Sequence, residues 1–366
     1  MTHPLLSPLP LRSVILSSRI GVSPMCQYSS VDGFANDWHF NHLGSRAVGG
    51  AALVITEASA VTAEGRITPA DLGIWKDEHI EQLARIVRFL HSQGAHAGIQ
   101  LAHAGRKAGM APPSQGERLL GPAEGGWTPV APSAIPFNEK YATPHELDES
   151  GISLVIEAFR AAAVRALEAG FDLIEIHSAH GYLLHEFLSP LSNHRTDAWG
   201  GSFENRTRLL LRVVDAVRGA WPETKPLFVR ISATDWTEGG WTVDDSVALA
   251  KLLKQHGVDL VDCSSGGNIA GARIPLTPGY QVPFAARIRR EAGIATAAVG
   301  LITTPEQAGA IVANGEADLV LLAREMLRDP YFAVHAAAAL GETAAWPAQY
   351  LRAAPAGSVA REPIAD

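Results

Sequence analysis

The sequence predicts a single (β/α)8 barrel, and two features of the chain support that prediction. Short apolar stretches recur with amphipathic segments between them, and their continuous apolar character suits parallel strands covered on both faces. A weak repeat, in which Gly and then Asp end a helix and open a strand, occurs at 170–172, 257–259 and 315–318. A doubly wound sheet is the main alternative, but eight units without an obvious break favour closure. We expect the eight strands near Ile20–Met25, Ala51–Glu57, Ala95–Leu101, Phe171–His177, Leu227–Ser232, Leu260–Ser264, Ala295–Gly300 and Asp318–Ala323.

Two of the intervening segments carry clear helix signals. After Asp77, apolar residues recur at helical spacing from Ile80 to Leu90, and Gly94 follows as the expected C-terminal cap. Thr304 opens a second helix as its N-cap, with Pro305 at the first helical position, and we expect this helix to end at Gly315.

Composition limits the classes of partner. The 366 residues (38.9 kDa) carry a net charge of −8 and a pI near 6.0, which argues against a nucleic-acid or anionic-membrane surface. The two cysteines, Cys26 and Cys263, exclude a disulfide scaffold and favour a reducing compartment. No apolar run approaches the ~18 residues that span a bilayer. We therefore expect a cytoplasmic globular protein.

The chain divides into a barrel and a tail. Residues 1–340 account for the eight units, and residues 341–366 form a tail that we expect at a subunit interface, with its last residues disordered. The Pro- and Gly-rich stretch from Met110 to Pro144 is too long for an ordinary βα loop. Because it follows the third strand, we interpret it as an excursion that lines or covers a site on the C-terminal face.

The last three strand ends predict an anion site. In a barrel, the chemistry lies at the C-terminal strand ends, where small residues let backbone N–H groups approach a phosphate. The candidate residues are Ser265, Gly266, Gly300, Ala323 and Arg324. The guanidinium group of Arg324 can bind a phosphate through two N–H donors. Glycines that merely turn the chain are the alternative.

Arg230 ends the fifth strand among apolar residues, so its charge needs a partner. One candidate is a flavin ring, whose reduced form is negative near N1, with Gln100 bound to the polar edge of the same ring. The alternative is a core salt bridge to Glu57 or Glu175.

His177 and His180 follow the fourth strand with an H-x-x-H spacing that a metal site could use. Such a site needs further ligands, and strands one, five, six, seven and eight offer none. A Schiff-base aldolase is disfavoured because none of the six lysines ends a strand, the nearest being Lys107. What remains is two imidazole donors facing an oxyanion, beside a phenol, Tyr182, that could deliver a proton. Two satisfied core histidines are the alternative.

The stretch from His177 to Arg206, HSAHGYLLHEFLSPLSNHRTDAWGGSFENR, resembles the signature of the old yellow enzyme family. Further segments resemble its bacterial thermophilic-like branch: Ser23–Tyr28, Gly65–Thr68, Gln100–Lys107 and Pro278–Val282. The likeness runs from about Leu11 to Arg352. It implies an FMN-dependent NAD(P)H dehydrogenase on a (β/α)8 barrel that reduces electrophilic alkenes.

The resemblance also implies residue roles. His177 and His180 match the pair that binds the substrate carbonyl, and Tyr28 and Tyr182 match the flanking phenols. Tyr182 or water is then expected to protonate the α-carbon. Arg352 matches an arginine that reaches a neighbouring subunit's site, which implies a homodimer or homotetramer. Ala323 stands where the family usually has Gly, so its methyl group narrows the backbone approach to the phosphate. The positions that match flavin contacts are Ser23, Pro24, Met25, Cys26, Ala58, Gln100, Arg230, Gly300 and Arg324. Ser265, Gly266 and Ala323, from the strand-end argument, complete the expected cofactor site.

The expected cofactors are FMN, with NADPH as reductant and NADH as a possible substitute. No G-x-G-x-x-G motif follows a strand, so the nicotinamide has no separate Rossmann site. Both half-reactions are then expected to use one face of the flavin in turn.

Overall fold

The predicted barrel is confirmed in a computed structural model that describes residues 2–359. Eight parallel strands pair in sequence order, and the eighth pairs with the first to close the barrel. Their bounds are β1 Ile20–Val22, β2 Leu53–Ala60, β3 His96–Ala102, β4 Leu173–Ser178, β5 Leu227–Ser232, β6 Leu260–Ser264, β7 Ala295–Ala298 and β8 Leu319–Leu322.

One helix follows each strand on the outside of the barrel. The eight helices are α1 Asp37–Val48, α2 Ile80–Ser92, α3 Glu149–Glu168, α4 Phe203–Ala220, α5 Val243–Gln255, α6 Val282–Ala292, α7 Pro305–Ala313 and α8 Phe332–Ala339. Short helices at Leu183–Leu188 and Arg324–Arg328 follow β4 and β8 directly. None of the helices between residues 2 and 359 is long and apolar enough to cross a membrane.

The predicted helix signals act as expected. Thr304 caps α7 by accepting a hydrogen bond from the Gln307 N–H at 3.2 Å. The helix ends at Ala313, two residues before Gly315, whose positive φ of 69° turns the chain. Gly94 has the same role after α2, with φ of 78°.

The Gly–Asp repeat has a structural cause. In each copy the aspartate carboxylate accepts a hydrogen bond from a backbone N–H at the start of the preceding strand. Asp172 binds the Ala97 N–H at 2.8 Å, Asp259 binds Leu227 at 2.9 Å, and Asp318 binds Thr296 at 3.0 Å. The repeat therefore joins successive units at the N-terminal end of the barrel, away from the site.

Side chains fill the barrel interior. Leu173, Phe228 and Leu260 on three neighbouring strands are fully buried inside it. A hairpin formed by Leu9–Leu11 and Val14–Leu16 adds its own buried residues to this cluster and closes the N-terminal end. Polar groups can then reach only the opposite end, where the strands finish.

The excursion and the tail lie outside the barrel. The excursion contains two short 3-10 turns and a two-residue strand, Val130–Ala131, that pairs with His145–Glu146. The tail includes a 3-10 turn at Ala348–Ala353 and folds back so that Ala344 pairs with Val359. The predicted disorder of the last residues concerns 360–366, which lie outside the described residues.

Candidate active site

Two cavities lie near the C-terminal strand ends. The first, which we call the strand-end cavity, is lined by His180, Arg230, Ser264, Ser265, Gly300, Ala323 and Arg324, among others. The second, the outer cavity, is lined by Tyr28, Tyr182 and Lys107 together with excursion residues. The His177 ring lies 5.1 Å from the ring centroids of both His180 and Tyr182, so it stands between the two cavities.

The strand-end cavity has the properties of an anion site at one end. Gly300 has φ of 117°, and a Cβ there would come within 2.6 Å of Gln281 Nε2, so only glycine fits. Arg324 is exposed and makes no ion pair with the other described residues. Ala323 lines the cavity with φ of −102°, outside the left-handed region that favours glycine. These features fit the predicted phosphate site.

Arg230 is held at the other end by three partners. Its Nε lies 3.1 Å from Asp262 Oδ2, Nε and Nη2 donate to Ser264 Oγ at 3.0 and 2.9 Å, and Nη1 donates to Ser23 Oγ at 3.0 Å. The alternative prediction, that Arg230 forms a core salt bridge, is confirmed, but the partner is Asp262. The predicted partners, Glu57 and Glu175, are wrong. The ion pair leaves Arg230 lining the cavity, so it does not exclude a ligand contact.

Gln100 and Glu175 form the neighbouring contact. Gln100 Nε2 donates to Glu175 Oε1 at 2.7 Å, and both side chains are buried. The amide oxygen of Gln100 is then left as an acceptor, which suits an N–H donor such as flavin N3.

The segment after β1 carries five of the predicted contacts, of which Ser23 is buried and bound to Arg230. Pro24, Met25, Cys26 and Tyr28 are half-buried there, and Tyr28 has a left-handed backbone with φ of 51°. Burial, with a smaller contribution from Asp71, raises the pKa of the Cys26 thiol well above its usual value. The thiol is therefore neutral at physiological pH and is not an activated nucleophile.

His177 and His180 form a pair of neutral donors. Burial lowers the pKa of both rings well below 6.5, and the charge of Arg230 acts in the same direction. His177 Nδ1 accepts the Ala179 N–H at 3.3 Å, so the ring proton is on Nε2, which lies 3.4 Å from His180 Nδ1. The His177 Nε2–H therefore faces His180 Nδ1 in this structure, and an oxygen atom bound between the two nitrogens would replace this contact to receive a hydrogen bond from each ring.

A strained turn places the second histidine. His180 has φ of 61°, a region that costs a non-glycine residue energy unless its surroundings fix it. Its N–H donates to Ser232 Oγ at 2.9 Å, and Ser232 in turn donates to the Gly266 carbonyl at 2.8 Å. Gly266, a predicted cofactor contact, thus supports the His180 turn and is not among the residues lining the strand-end cavity.

Lys107 is a site residue that the sequence argument missed. Its ammonium group donates to the His180 carbonyl at 2.8 Å and to the Gly267 carbonyl, and it lies 4.1 Å from the Phe137 ring centroid. Burial, together with the charge of Arg106, lowers its pKa to about 8. Lys107 follows β3 by five residues, so a search restricted to strand ends cannot find it.

Tyr182 and the excursion complete the outer cavity. Burial raises the pKa of the Tyr182 phenol well above 10, so the group keeps its proton at neutral pH. Met110, Glu117 and Tyr141 of the excursion line the same cavity, as the length of that loop predicts. The Tyr141 hydroxyl donates to Glu117 at 3.4 Å, which connects two parts of the excursion over the cavity.

Two predicted residues lie elsewhere. Ala58 lines a small cavity that also contacts Tyr182. Arg352 is exposed on the 3-10 turn of the tail and lines neither the strand-end nor the outer cavity. Tyr350 of the same turn contacts Tyr331 of its own chain, with ring centroids 6.2 Å apart.

Within the part of the chain that the structure describes, no group of three or more His, Cys, Asp or Glu side chains could hold a metal ion. The donor set instead fits a flavin. Arg230 offers a cation in the strand-end cavity, Gln100 offers an acceptor on a neighbouring strand, and Gly300 and Arg324 offer a phosphate site in the same cavity as Arg230. Fold and site together define a flavin-dependent oxidoreductase on a (β/α)8 barrel.

The comparisons with known proteins agree. Residues 4–342 match the model of the NADH:flavin oxidoreductase / NADH oxidase family. An NADPH dehydrogenase of Halalkalibacterium halodurans is 52% identical over 96% of this chain and 99% of its own length, and one of Bacillus subtilis is 49% identical over 96% and 99%. Morphinone reductase superposes with a TM-score of 0.78 at 27% identity, over 94% of this chain and 91% of that one.

The chain therefore belongs to the NADH:flavin oxidoreductase / NADH oxidase family, the FMN-dependent oxidoreductases of the old yellow enzyme kind. The resemblance found in the sequence is confirmed, and so is FMN as the cofactor.

Proposed function

We propose that this protein is an ene-reductase that takes hydride from NADPH and delivers it to the β-carbon of α,β-unsaturated carbonyl or nitro compounds. The observation that carries the proposal is the pair of neutral imidazole donors, His177 and His180, between the strand-end cavity and a cavity with Tyr182 in its wall. The names of the relatives support NADPH over NADH as reductant.

The chain's own residues supply binding, orientation and a proton. When bound, FMN supplies the hydride. His177 and His180 donate hydrogen bonds to the substrate oxygen and stabilise the negative charge that develops there, an effect worth a few kcal/mol per donor in comparable sites. Tyr182, protonated at neutral pH, delivers a proton to the α-carbon. Lys107 and Ser232 hold the His180 turn in place.

One observation supports a ping-pong order. No dinucleotide-binding motif follows any strand of the sequence, so the nicotinamide and the alkene share the site. Under this proposal NADPH binds, reduces the cofactor and leaves before the alkene enters.

The test is a pair of separate half-reactions. The purified yellow protein is reduced anaerobically with NADPH or with NADH, and then mixed with 2-cyclohexenone. We expect faster reduction by NADPH and full reoxidation by the enone. A protein that is reduced but not reoxidised would exclude ene-reduction and leave the flavin assignment intact.

Replacing Tyr182 by Phe is expected to slow reoxidation by the enone more than reduction by NADPH. The reason is that only reoxidation by the enone requires a proton to be delivered to a carbon atom. Stopped-flow absorbance measures both rates on the same preparation, so each half-reaction serves as the control for the other. Equal slowing of the two would show that Tyr182 only shapes the cavity.

Replacing Cys26 by Ala is expected to preserve turnover, because the thiol is neutral and is not an activated nucleophile. It is also expected to shift the flavin potential or spectrum, because Cys26 belongs to the segment after β1 that is predicted to contact the flavin. Cys263→Ala, at the other thiol of the chain, is the matched control and should leave the spectrum unchanged. Loss of turnover with FMN still bound would contradict a tuning role.

We also propose that the tail reaches a neighbouring subunit, where Arg352 lines the site. Arg352, Tyr350 and Leu351 are all exposed in the single chain, and Arg and Tyr are enriched in interface hot spots. Truncation after Leu340 is expected to weaken association and to lower catalytic efficiency, measured by analytical ultracentrifugation and steady-state kinetics. A truncated protein that associates normally and is fully active would remove Arg352 from the site.

A further inference from the structure

A layer of four buried polar side chains crosses the inside of the barrel below the strand-end cavity. Gln100 on β3, Glu175 on β4, Arg230 on β5 and Asp262 on β6 occupy paired or diagonal positions of neighbouring strands. Side chains alternate along a strand, so Glu175, Arg230 and Asp262 share a face with cluster members two residues earlier, which are Leu173, Phe228 and Leu260. The layer therefore lies between the apolar interior and the strand-end cavity.

The layer holds two carboxyl groups and one cation. Glu175 and Asp262 are both fully buried, and Arg230 is 6% exposed. Arg230 is paired with Asp262, while Glu175 receives one hydrogen bond, from Gln100. Among the described residues, Glu175 Oε2 has no hydrogen-bond partner, and neither oxygen of Asp262 has one. Asp262 Oδ2, however, lies 3.1 Å from Arg230 Nε, so Asp262 has the cation as its counter-charge and Glu175 does not. A buried carboxylate with an unpaired oxygen is costly, whereas a neutral carboxylic acid can be accommodated there.

We propose that Glu175 is a positioning residue that holds a proton beneath the flavin and couples the uptake of that proton to flavin reduction. The inference rests on the FMN assignment but not on the identity of the alkene. Burial and the charge of Asp262 raise the pKa of Glu175 to about 8, against the opposing effects of Arg230 and of the Gln100 hydrogen bond. His177, two residues along the same strand, is neutral and adds no charge.

The coupling follows from charge balance. Two electrons and one proton convert the oxidised ring into its reduced anion, and Arg230, which lines the strand-end cavity, is the cation that would stabilise the new negative charge. That charge raises the pKa of Glu175 further, so ionised Glu175 takes up a second proton from solvent when the ring is reduced. Below the oxidised-state pKa, Glu175 already holds this proton and reduction consumes only one.

The test is the pH dependence of the flavin potential in the holoenzyme, by equilibration with redox dyes from about pH 6 to about pH 9.5. For a two-electron couple, each proton taken up contributes about 30 mV per tenfold change in proton concentration. We expect a slope of about 30 mV per pH unit that doubles above about pH 8. A single slope across the range in the unmodified protein would overturn the proposal.

Two variants assign the break to Glu175. Glu175→Gln is a neutral isostere, so it should keep the flavin potential measured at neutral pH. It should lose the break, which is the increase in the slope of potential against pH above about pH 8. Glu186→Gln is the matched control, because burial raises the pKa of Glu186 to about 8 as well, yet Glu186 binds the Arg106 N–H outside the layer. It should keep the break. A break lost in Glu186→Gln and kept in Glu175→Gln would contradict the assignment.

A further measurement applies even where Glu175→Gln does not hold FMN. Asp262→Asn removes the charge that raises the pKa of Glu175, so the break should move to lower pH. An unchanged break in Asp262→Asn would overturn the proposal. In the unmodified protein, the reduced-minus-oxidised infrared spectrum above pH 8 should gain a carboxylic acid band, and absence of that band would overturn it too.

Discussion

Replacing both His177 and His180 by Ala is expected to abolish tight binding of phenols, whose oxygen imitates the enolate formed from an unsaturated carbonyl. The two rings are neutral and adjacent, and they supply the hydrogen-bond donors proposed for that oxygen. Removing one donor from a comparable oxyanion site costs about 10²–10³ in kcat. We expect at least that loss in enone turnover, since the variant lacks both.

The measurement is a titration with a para-substituted phenol, followed by the long-wavelength charge-transfer band on the bound flavin. His194→Ala is the matched control, because His194 is exposed and only its backbone N–H is used, by Ser133 Oγ. FMN content is measured in both variants. Undiminished phenol affinity in the double variant, with FMN retained, would show that other groups bind the oxygen.

The sequence predicted the barrel well because local patterns determine it. The bounds of β5 and β6 agree with the prediction, and all eight strands are present. The predictions overran where an apolar run continues into the site. β1 was expected to reach Met25 and ends at Val22, and β7 was expected to reach Gly300 and ends at Ala298.

These overruns have a common physical cause. After Val22 the Ser23 hydroxyl is used by Arg230, and after Ala298 the chain turns at Gly300 with φ of 117°. Hydropathy does not distinguish a paired strand from the residues just after it, which no longer pair with the neighbouring strand and instead form the site.

The partners of site residues were harder to predict than the residues themselves. Arg230 was identified from its lone charge, but its partner is Asp262, which lies directly opposite it on the neighbouring strand. Strand register sets such pairs, and register cannot be derived from one strand alone. Lys107 was missed for a related reason, since only the folded loop brings it to the His180 carbonyl.

Arg230→Ala is expected to have the second large effect, and it acts on two properties at once. Loss of the cation removes a favourable interaction with the anionic reduced ring, so FMN affinity falls and the flavin potential becomes more negative. It also leaves the fully buried Asp262 carboxylate without its partner. Breaking a buried ion pair from one side costs about 3–5 kcal/mol, so the free energy of unfolding should fall by about that amount.

A second substitution separates these two effects. Combining Arg230→Ala with Asp262→Asn removes the unpaired charge and should restore much of the stability, measured by urea denaturation of the FMN-free protein. It should not restore the potential, because the cation is still absent. Arg230→Lys keeps the charge but loses the guanidinium group that binds Ser23 and Ser264. Its flavin potential should therefore lie between those of the unmodified protein and Arg230→Ala. A potential that is unchanged or less negative in Arg230→Ala would show that Arg230 is a structural partner of Asp262 and does not stabilise the reduced flavin.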